Sequence, residues 1–186
     1  MPRSDEEAAP PARLFSFPVV QSDPMTQTLT IRTAAAADMS LLDAMFARSY
    51  PKLLKADYPP SVLVTALPII SRAQPALVRS GRFYLAETAA DGIVGAGGWS
   101  PRRQAGVADV RHVVTDDRHT RRGIGRAILE RVFETARAAG VRRLDCKSTR
   151  TAVPFYRAMG FVTLGPVEVE LRPGIAFPAI EMQRNL

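Results

Sequence analysis

Residues 107–140 read VADVRHVVTDDRHTRRGIGRAILERVFETARAAG, and this stretch decides the architecture. Its first part, Val107 to Thr115, is rich in β-branched side chains and reads as a strand. The period then changes. Ile124, Ile128, Leu129, Val132, Phe133 and Ala136 build one apolar stripe of a helix from about Gly123 to Ala139, which Gly140 ends. Between strand and helix lies a basic loop, Arg118-His119-Thr120-Arg121-Arg122-Gly123-Ile124-Gly125-Arg126. It feeds directly into the helix N-terminus, where the first backbone N–H groups lack intrahelical partners and the helix dipole favours negative charge. Gly123 and Gly125 let an anion approach the backbone, and Arg118, Arg121, Arg122 and Arg126 supply charge for a ligand carrying several phosphates. Two glycines and solvated arginines would also fit a plain tight turn; the flanking strand and amphipathic helix favour the phosphate site. A Walker loop is excluded because Gly-Lys-Ser/Thr is missing. The dinucleotide fingerprint fails as well, with Ile128 in place of its third glycine.

Working outward, a strand from Val141 to Lys147, a short helix from Thr151 to Met159 and two terminal strands are predicted downstream. Upstream, Phe83 to Glu87 and Ile93 to Trp99 flank Asp91-Gly92, a dipeptide suited to a tight hairpin turn. Before them, Asp38 is placed to cap a helix that carries Leu41, Leu42, Met45, Phe46 and Ser49 on one face and ends at Pro51. A second helical stretch follows Pro59-Pro60, with a break or kink expected at Pro68. The first strand spans about Leu29 to Thr33, and residues 1–26 read as a flexible extension rich in Pro, Ala and charge. Helices alternating with strands in an otherwise antiparallel pattern predict a mixed α/β (α+β) fold.

With 186 residues, 46% hydrophobic and 23% charged, the chain suits one folded domain. The net charge of +7 comes mostly from arginine, since lysine occurs only at Lys52, Lys55 and Lys147. Such a balance fits a polyanionic ligand, and it fits a solvated surface equally well. Cys146 is the only cysteine, which excludes an intrachain disulfide; with only His112 and His119 beside it, no metal site is expected. Asp5, Glu6 and Glu7 stand where a secretory signal would carry positive charge, and no apolar run approaches the roughly 20 residues of a membrane helix. The cytoplasm is therefore the expected location, with no membrane partner. Nucleic acid is not the expected partner either, because no aromatic-interleaved basic strand or recognition helix occurs. Monomer and homodimer are both compatible with the sequence.

The segment Thr120-Arg121-Arg122-Gly123-Ile124-Gly125 resembles the signature of the GNAT superfamily of acetyltransferases: Gln or Arg, two residues, Gly, one residue, then Gly or Ala. Thr120 stands where Gln or Arg is usual, and the backbone cradle is intact. Ala152-Val153-Pro154-Phe155-Tyr156-Arg157-Ala158-Met159-Gly160-Phe161 is similar to the family's downstream helix and Gly-Phe exit. The resemblance implies one N-acetyltransferase domain over residues 27–186, with a mostly antiparallel central sheet flanked by helices. It implies that the strand Asp109 to Thr115 splays from the strand containing Cys146 to admit a pantetheine arm. Acetyl-CoA would be the acyl donor, held by Val113, Val114, Thr115, Thr120, Arg121, Arg122, Gly123, Ile124, Gly125, Arg126 and Thr151. The Val113 N–H would face the thioester oxygen as an oxyanion donor.

Direct transfer needs a neutral amine acceptor, an exit for its proton and a proton source for the CoA thiolate. Tyr156 matches the family's position for that acid, and Asp109, four residues before Val113, matches the site some members use for a base. Strand alternation sets His112 opposite Asp109 and Val113 unless a bulge intervenes. Cys146 reads as a buried small hydrophobe rather than an acyl carrier. Tyr50, Tyr58 and Trp99 are candidates for an acceptor pocket or for core packing. A noncatalytic acyl-CoA-binding module is the alternative to an enzyme.

Overall fold

In the computed structural model, which describes residues 28–186, the quoted stretch is a parallel crossover. Strand β4 (Val107–Thr115) leads through the basic loop into helix α4 (Ile124–Ala138), which returns the chain to strand β5 (Arg143–Ser148). Before it come β1 (Thr30–Thr33), α1 (Met39–Leu54), α2 (Pro60–Ile70), α3 (Pro75–Val78), β2 (Phe83–Thr88) and β3 (Gly92–Pro101). After it come α5 (Val153–Ala158), β6 (Val162–Arg172) and β7 (Ile175–Asn185). The seven strands form one sheet in the order β1-β2-β3-β4-β5-β7-β6, antiparallel throughout except for β4 against β5. The mixed, mostly antiparallel sheet is thus as the sequence indicated. The extension expected over residues 1–26 lies outside the described residues, and no described helix is long and apolar enough to cross a membrane.

Each face of the sheet is covered by helices whose stripes were visible in the sequence. On one face Leu42, Met45, Phe46, Tyr50 and Leu54 of α1 pack with Leu85, Ala96, Val114 and Phe177. On the other, Leu129, Val132, Phe133 and Ala136 of α4 pack with Ala108, Val110, Leu144, Cys146 and Met182. Leu42, Leu129 and Leu144 are fully buried, each contributing about 1.5–3 kcal/mol relative to exposure.

Local signals and tertiary packing disagree at four places. Asp38 precedes α1 but does not cap it with its side chain; its carboxylate accepts two hydrogen bonds from Arg32, each 2.8 Å, and one from the Ala35 N–H at 2.7 Å. Pro51 does not end α1, which continues to Leu54. Proline removes one helical hydrogen bond, but Tyr50 and Leu54 on either side are buried, and that burial holds the last turn in place. Pro68 likewise lies inside α2. Strand β5 starts two residues later than predicted because Val141 is part of the α4 terminus, its N–H donating to Ala136 O at 3.0 Å.

Strand β3 tolerates no side chain at Gly98. A Cβ there would lie 2.2 Å from Arg82 O and 2.8 Å from Phe83 Cα, both backbone atoms of the adjoining strand region. Gly98→Ala is therefore expected to destabilise the fold by about 3 kcal/mol, read as a lowered midpoint of urea unfolding with an unchanged slope.

Candidate active site

The site begins where two strands stop pairing. β4 and β5 are in register at Val107↔Arg143, Ala108↔Leu144 and Asp109↔Asp145, and no further. Beyond Asp109 the strands diverge, and a cleft of about 1120 Å³ opens between Val110–Thr115 on one side and Cys146–Thr149 on the other. A bulge in β4 adds to the opening. The β3–β4 register shifts between Ala96↔Val114 and Gly98↔Arg111, leaving His112 and Val113 without β3 partners, and His112 has a positive φ of 47°. One extra residue reverses the alternation. His112 consequently turns toward α1, stacked on Phe46 with ring centroids 5.8 Å apart, while Val113 packs on the α4 side. That is the exception to strand alternation on which the sequence reading had depended.

At the mouth of the cleft stands the N-terminus of α4. Its capping residue, Gly123, has φ 79° and supplies no side-chain cap, and the helical ladder begins only with the Ala127 N–H donating to Gly123 O at 3.0 Å. The N–H groups of Ile124, Gly125 and Arg126 thus precede the helical ladder and form a ready anion cradle. Arg121 adopts the left-handed conformation, φ 66°, which turns the loop toward the helix end. Thr120, Arg121, Gly123, Ile124, Gly125 and Arg126 line the cleft together with Val113, Val114, Thr115 and Thr151. Arg122 does not line it and is exposed. The Thr151 hydroxyl donates to Asp57 Oδ2 at 2.6 Å.

Two basic residues of the loop serve its framework instead. Arg118 folds back on Asp116, with Nε 3.1 Å from Oδ1 and Nη2 3.0 Å from Oδ2. His119 is buried, its Nε2 3.1 Å from Asp91 Oδ2. Asp116 also pairs with Arg48 of α1, and Lys52 pairs with Asp117 at 2.7 Å, so α1 clamps the start of the loop. Burial alone would push the Asp116 carboxyl up, but hydrogen bonds from Arg118 and Arg48 outweigh it and hold it well below the usual carboxylate range. Its ion pairs therefore stabilise the fold fully above the unfolded value of about 3.9 and are lost as pH falls below it. Asp116→Asn is expected to cost about 2 kcal/mol at neutral pH, a figure reduced from that of a fully buried pair because Arg48 is 35% exposed. The gap in urea stability between wild type and variant should begin to narrow as the pH falls below ~4 and close only below the depressed folded value of this carboxyl.

Inside the cleft, Tyr156 of α5 is buried between Phe155 and Phe161, with ring centroids 5.1 and 5.2 Å away. Its phenol has the Cys146 thiol as a neighbour. Burial raises the phenol well above its ordinary pKa and pushes the Cys146 thiol up to about 12. Both groups hold their protons at neutral pH, so Cys146 is no nucleophile there and Tyr156 is a competent donor. Asp109 also lines the cleft, but its Oδ1 accepts from Arg102 Nε at 2.9 Å and Nη2 at 2.6 Å. The wall facing α1 carries His112, whose Nδ1 lies 3.1 Å from the Tyr50 hydroxyl; burial first, then the Arg111 charge, pull its pKa down to about 4. Of the three aromatic candidates only Tyr50 reaches the cleft. Trp99 is buried with Nε1 donating to Thr135 Oγ1 at 3.0 Å, and Tyr58 bridges Arg150 N and Pro178 O. The remaining lining escaped the sequence reading: Leu53, Leu54, Ile69 and Ile70 from the helices, with Val169, Leu171 and Phe177 from the terminal hairpin.

Residues 79–163 match the family model of the acetyltransferase (GNAT) domain. Over these residues the chain is thus similar to a GNAT acetyltransferase domain. Its fold is similar to that of a GCN5-related N-acetyltransferase from Rhodopseudomonas palustris, with TM-score 0.69, 20% identity, and 87% of this chain and 99% of that one covered. It is also similar to an acetyltransferase of the GNAT family from Staphylococcus aureus, with TM-score 0.62, 16% identity, and coverage of 86% and 99%. A third GNAT-fold relative is the PaiA N-acetyltransferase from Thermoplasma acidophilum in complex with coenzyme A, with TM-score 0.63, 16% identity, and coverage of 86% and 99%. No curated protein matches the chain. The GNAT match runs from the end of α3 to the start of β6, so it contains the splayed strands, the α4 cradle and Tyr156. It leaves out α1, α2 and nearly all of the β6–β7 hairpin, which supply the apolar end of the cleft.

Proposed function

We propose that this protein is a GNAT-type N-acetyltransferase that moves the acetyl group of acetyl-CoA to a primary amine of a small molecule or protein, by direct transfer in a ternary complex. One observation carries the reading: the uncapped α4 N-terminus and the buried Tyr156 phenol open onto the same cleft between the splayed strands. The α4 N–H groups, with Arg121 and Arg126, would take the pyrophosphate, and the pantetheine arm would run beside Val113, Val114 and Thr115 in place of a β5 neighbour. The thioester carbonyl would meet the Val113 N–H, which stabilises the negative charge that builds as the amine nitrogen attacks. Collapse breaks the C–S bond, and the thiolate takes the Tyr156 proton. The amine proton leaves through water, with Asp109 as the proposed terminus of that relay.

Acetyl-CoA at about 100 times its Kd should raise the melting temperature by roughly 5–10 °C. Thiol release is then screened over diverse primary amines. Absence of a melting shift with acetyl-CoA defeats the proposal; a shift with no thiol release from any amine leaves a binding module instead.

A further inference from the structure

The acceptor half of the cleft contains a charge that the transfer mechanism does not use. Arg111, on β4 just before the bulge, donates from Nη1 to Ser100 Oγ at 3.2 Å and from Nη2 to Gln74 Oε1 at 2.7 Å. Both partners are neutral, and among the described residues Arg111 forms no salt bridge. The contrast with Arg102 on the neighbouring stretch is direct, since Arg102 is matched by Asp109 at 2.6 Å and Asp145 at 2.9 Å. Two neutral acceptors fix the Arg111 fork without cancelling its charge, and a guanidinium has five N–H donors, so further donors remain for a ligand. The other charged residues lining the cleft are accounted for elsewhere. Arg121 and Arg126 belong to the α4 cradle, Lys147 is exposed and stands cross-strand from Glu181, and Glu170 is exposed on the edge strand β6. The rest of this half is largely apolar, with Leu53, Leu54, Ile69, Ile70, Leu171 and Phe177 on its walls, and the Tyr50 hydroxyl and His112 there pair with each other.

From this arrangement we infer that the acceptor is a small aminocarboxylate with an apolar body, its carboxylate held by Arg111 and its side chain against the α1–α2 and β6–β7 walls. The inference rests on the acetyltransferase reading above. A carboxylate is the complement of a fixed, planar, uncancelled guanidinium, and an apolar body is the complement of walls that are mostly aliphatic and aromatic.

The test compares leucine with leucinamide as acceptors, by thiol release from acetyl-CoA, in wild type and in Arg111→Gln. The ratio of kcat/KM for leucine to that for leucinamide should fall by about 10- to 100-fold in the variant, the worth of a charge-assisted pair. Comparing ratios within each protein cancels both the differing basicity of the two amines and any loss of folded enzyme. A measurement on wild type alone supplements it: 4-methylpentanoate should compete with the acceptor, and 4-methylpentanamide should not. An unchanged ratio, or equal inhibition by acid and amide, overturns the inference while neutral amines that are turned over leave the acetyltransferase reading standing. No thiol release from any amine overturns both.

Discussion

Tyr156→Phe is expected to lower kcat for acetyl transfer by about 100- to 1000-fold while leaving acetyl-CoA affinity and melting temperature nearly unchanged. The stability side follows from what the hydroxyl touches. The phenol's neighbour is the Cys146 thiol, at most a weak acceptor, so removing the hydroxyl costs about 1 kcal/mol or less, and the ring keeps its contacts with Phe155 and Phe161. The kinetic side follows from burial, which denies the departing thiolate easy protonation by bulk water and makes a fixed donor matter. Burial also sets the pH dependence. Because the phenol is raised above its ordinary value of about 10, wild-type kcat should show no alkaline decline from loss of this proton below ~pH 10. A phenylalanine variant that keeps more than a third of wild-type kcat would remove Tyr156 from the chemistry. Leucine at the same position separates packing from proton donation, since only it should also lower the melting temperature.

The uneven legibility of this site has a physical origin. The phosphate site proposed at α4 depends on backbone N–H groups at a helix start, and those leave local marks: an apolar stripe from Ile124 to Ala136 and glycines at 123 and 125. The acceptor end depends on side chains brought together from α1, α2, β6 and β7, and no local period announces that Ile70 and Phe177 will line one cleft. The bulge at His112 is equally silent, since Val-Arg-His-Val-Val contains no glycine to signal a positive φ. Its effect is large, because it moves an imidazole from one side of the sheet to the other. The arginine cluster shows the opposite error. Arg118 looks like a phosphate ligand in a run of basic residues, yet Asp116 two positions earlier claims it, and only the folded loop reveals that pairing. Pro51 and Pro68 show local chemistry yielding to tertiary packing inside helices.

Gly125→Val is expected to reduce acetyl-CoA affinity by at least about 100-fold, the largest binding effect of any single change in the cradle. The backbone itself accepts the substitution, since Gly125 lies in the first turn of α4 and, unlike Gly123, does not have a positive φ. Space does not. A Cβ at this position would meet the Phe155 ring at 3.3 Å and Thr115 Oγ1 at 3.5 Å, so it projects into the gap between α5 and the end of β4. Two further methyl groups would fill the approach to the Ile124, Gly125 and Arg126 N–H groups that the pyrophosphate requires. Affinity should therefore fall far more than stability, which calorimetric titration with CoA and urea unfolding can separate. The arginines supply an internal comparison. Arg121→Ala and Arg126→Ala, which remove cations from the cleft wall, should each weaken binding by about tenfold, and the loss should shrink at high salt. Arg122→Ala should change little, because Arg122 does not line the cleft. If Arg122→Ala proves as damaging as Gly125→Val, charge count rather than backbone access governs the site, and the cradle has been wrongly located.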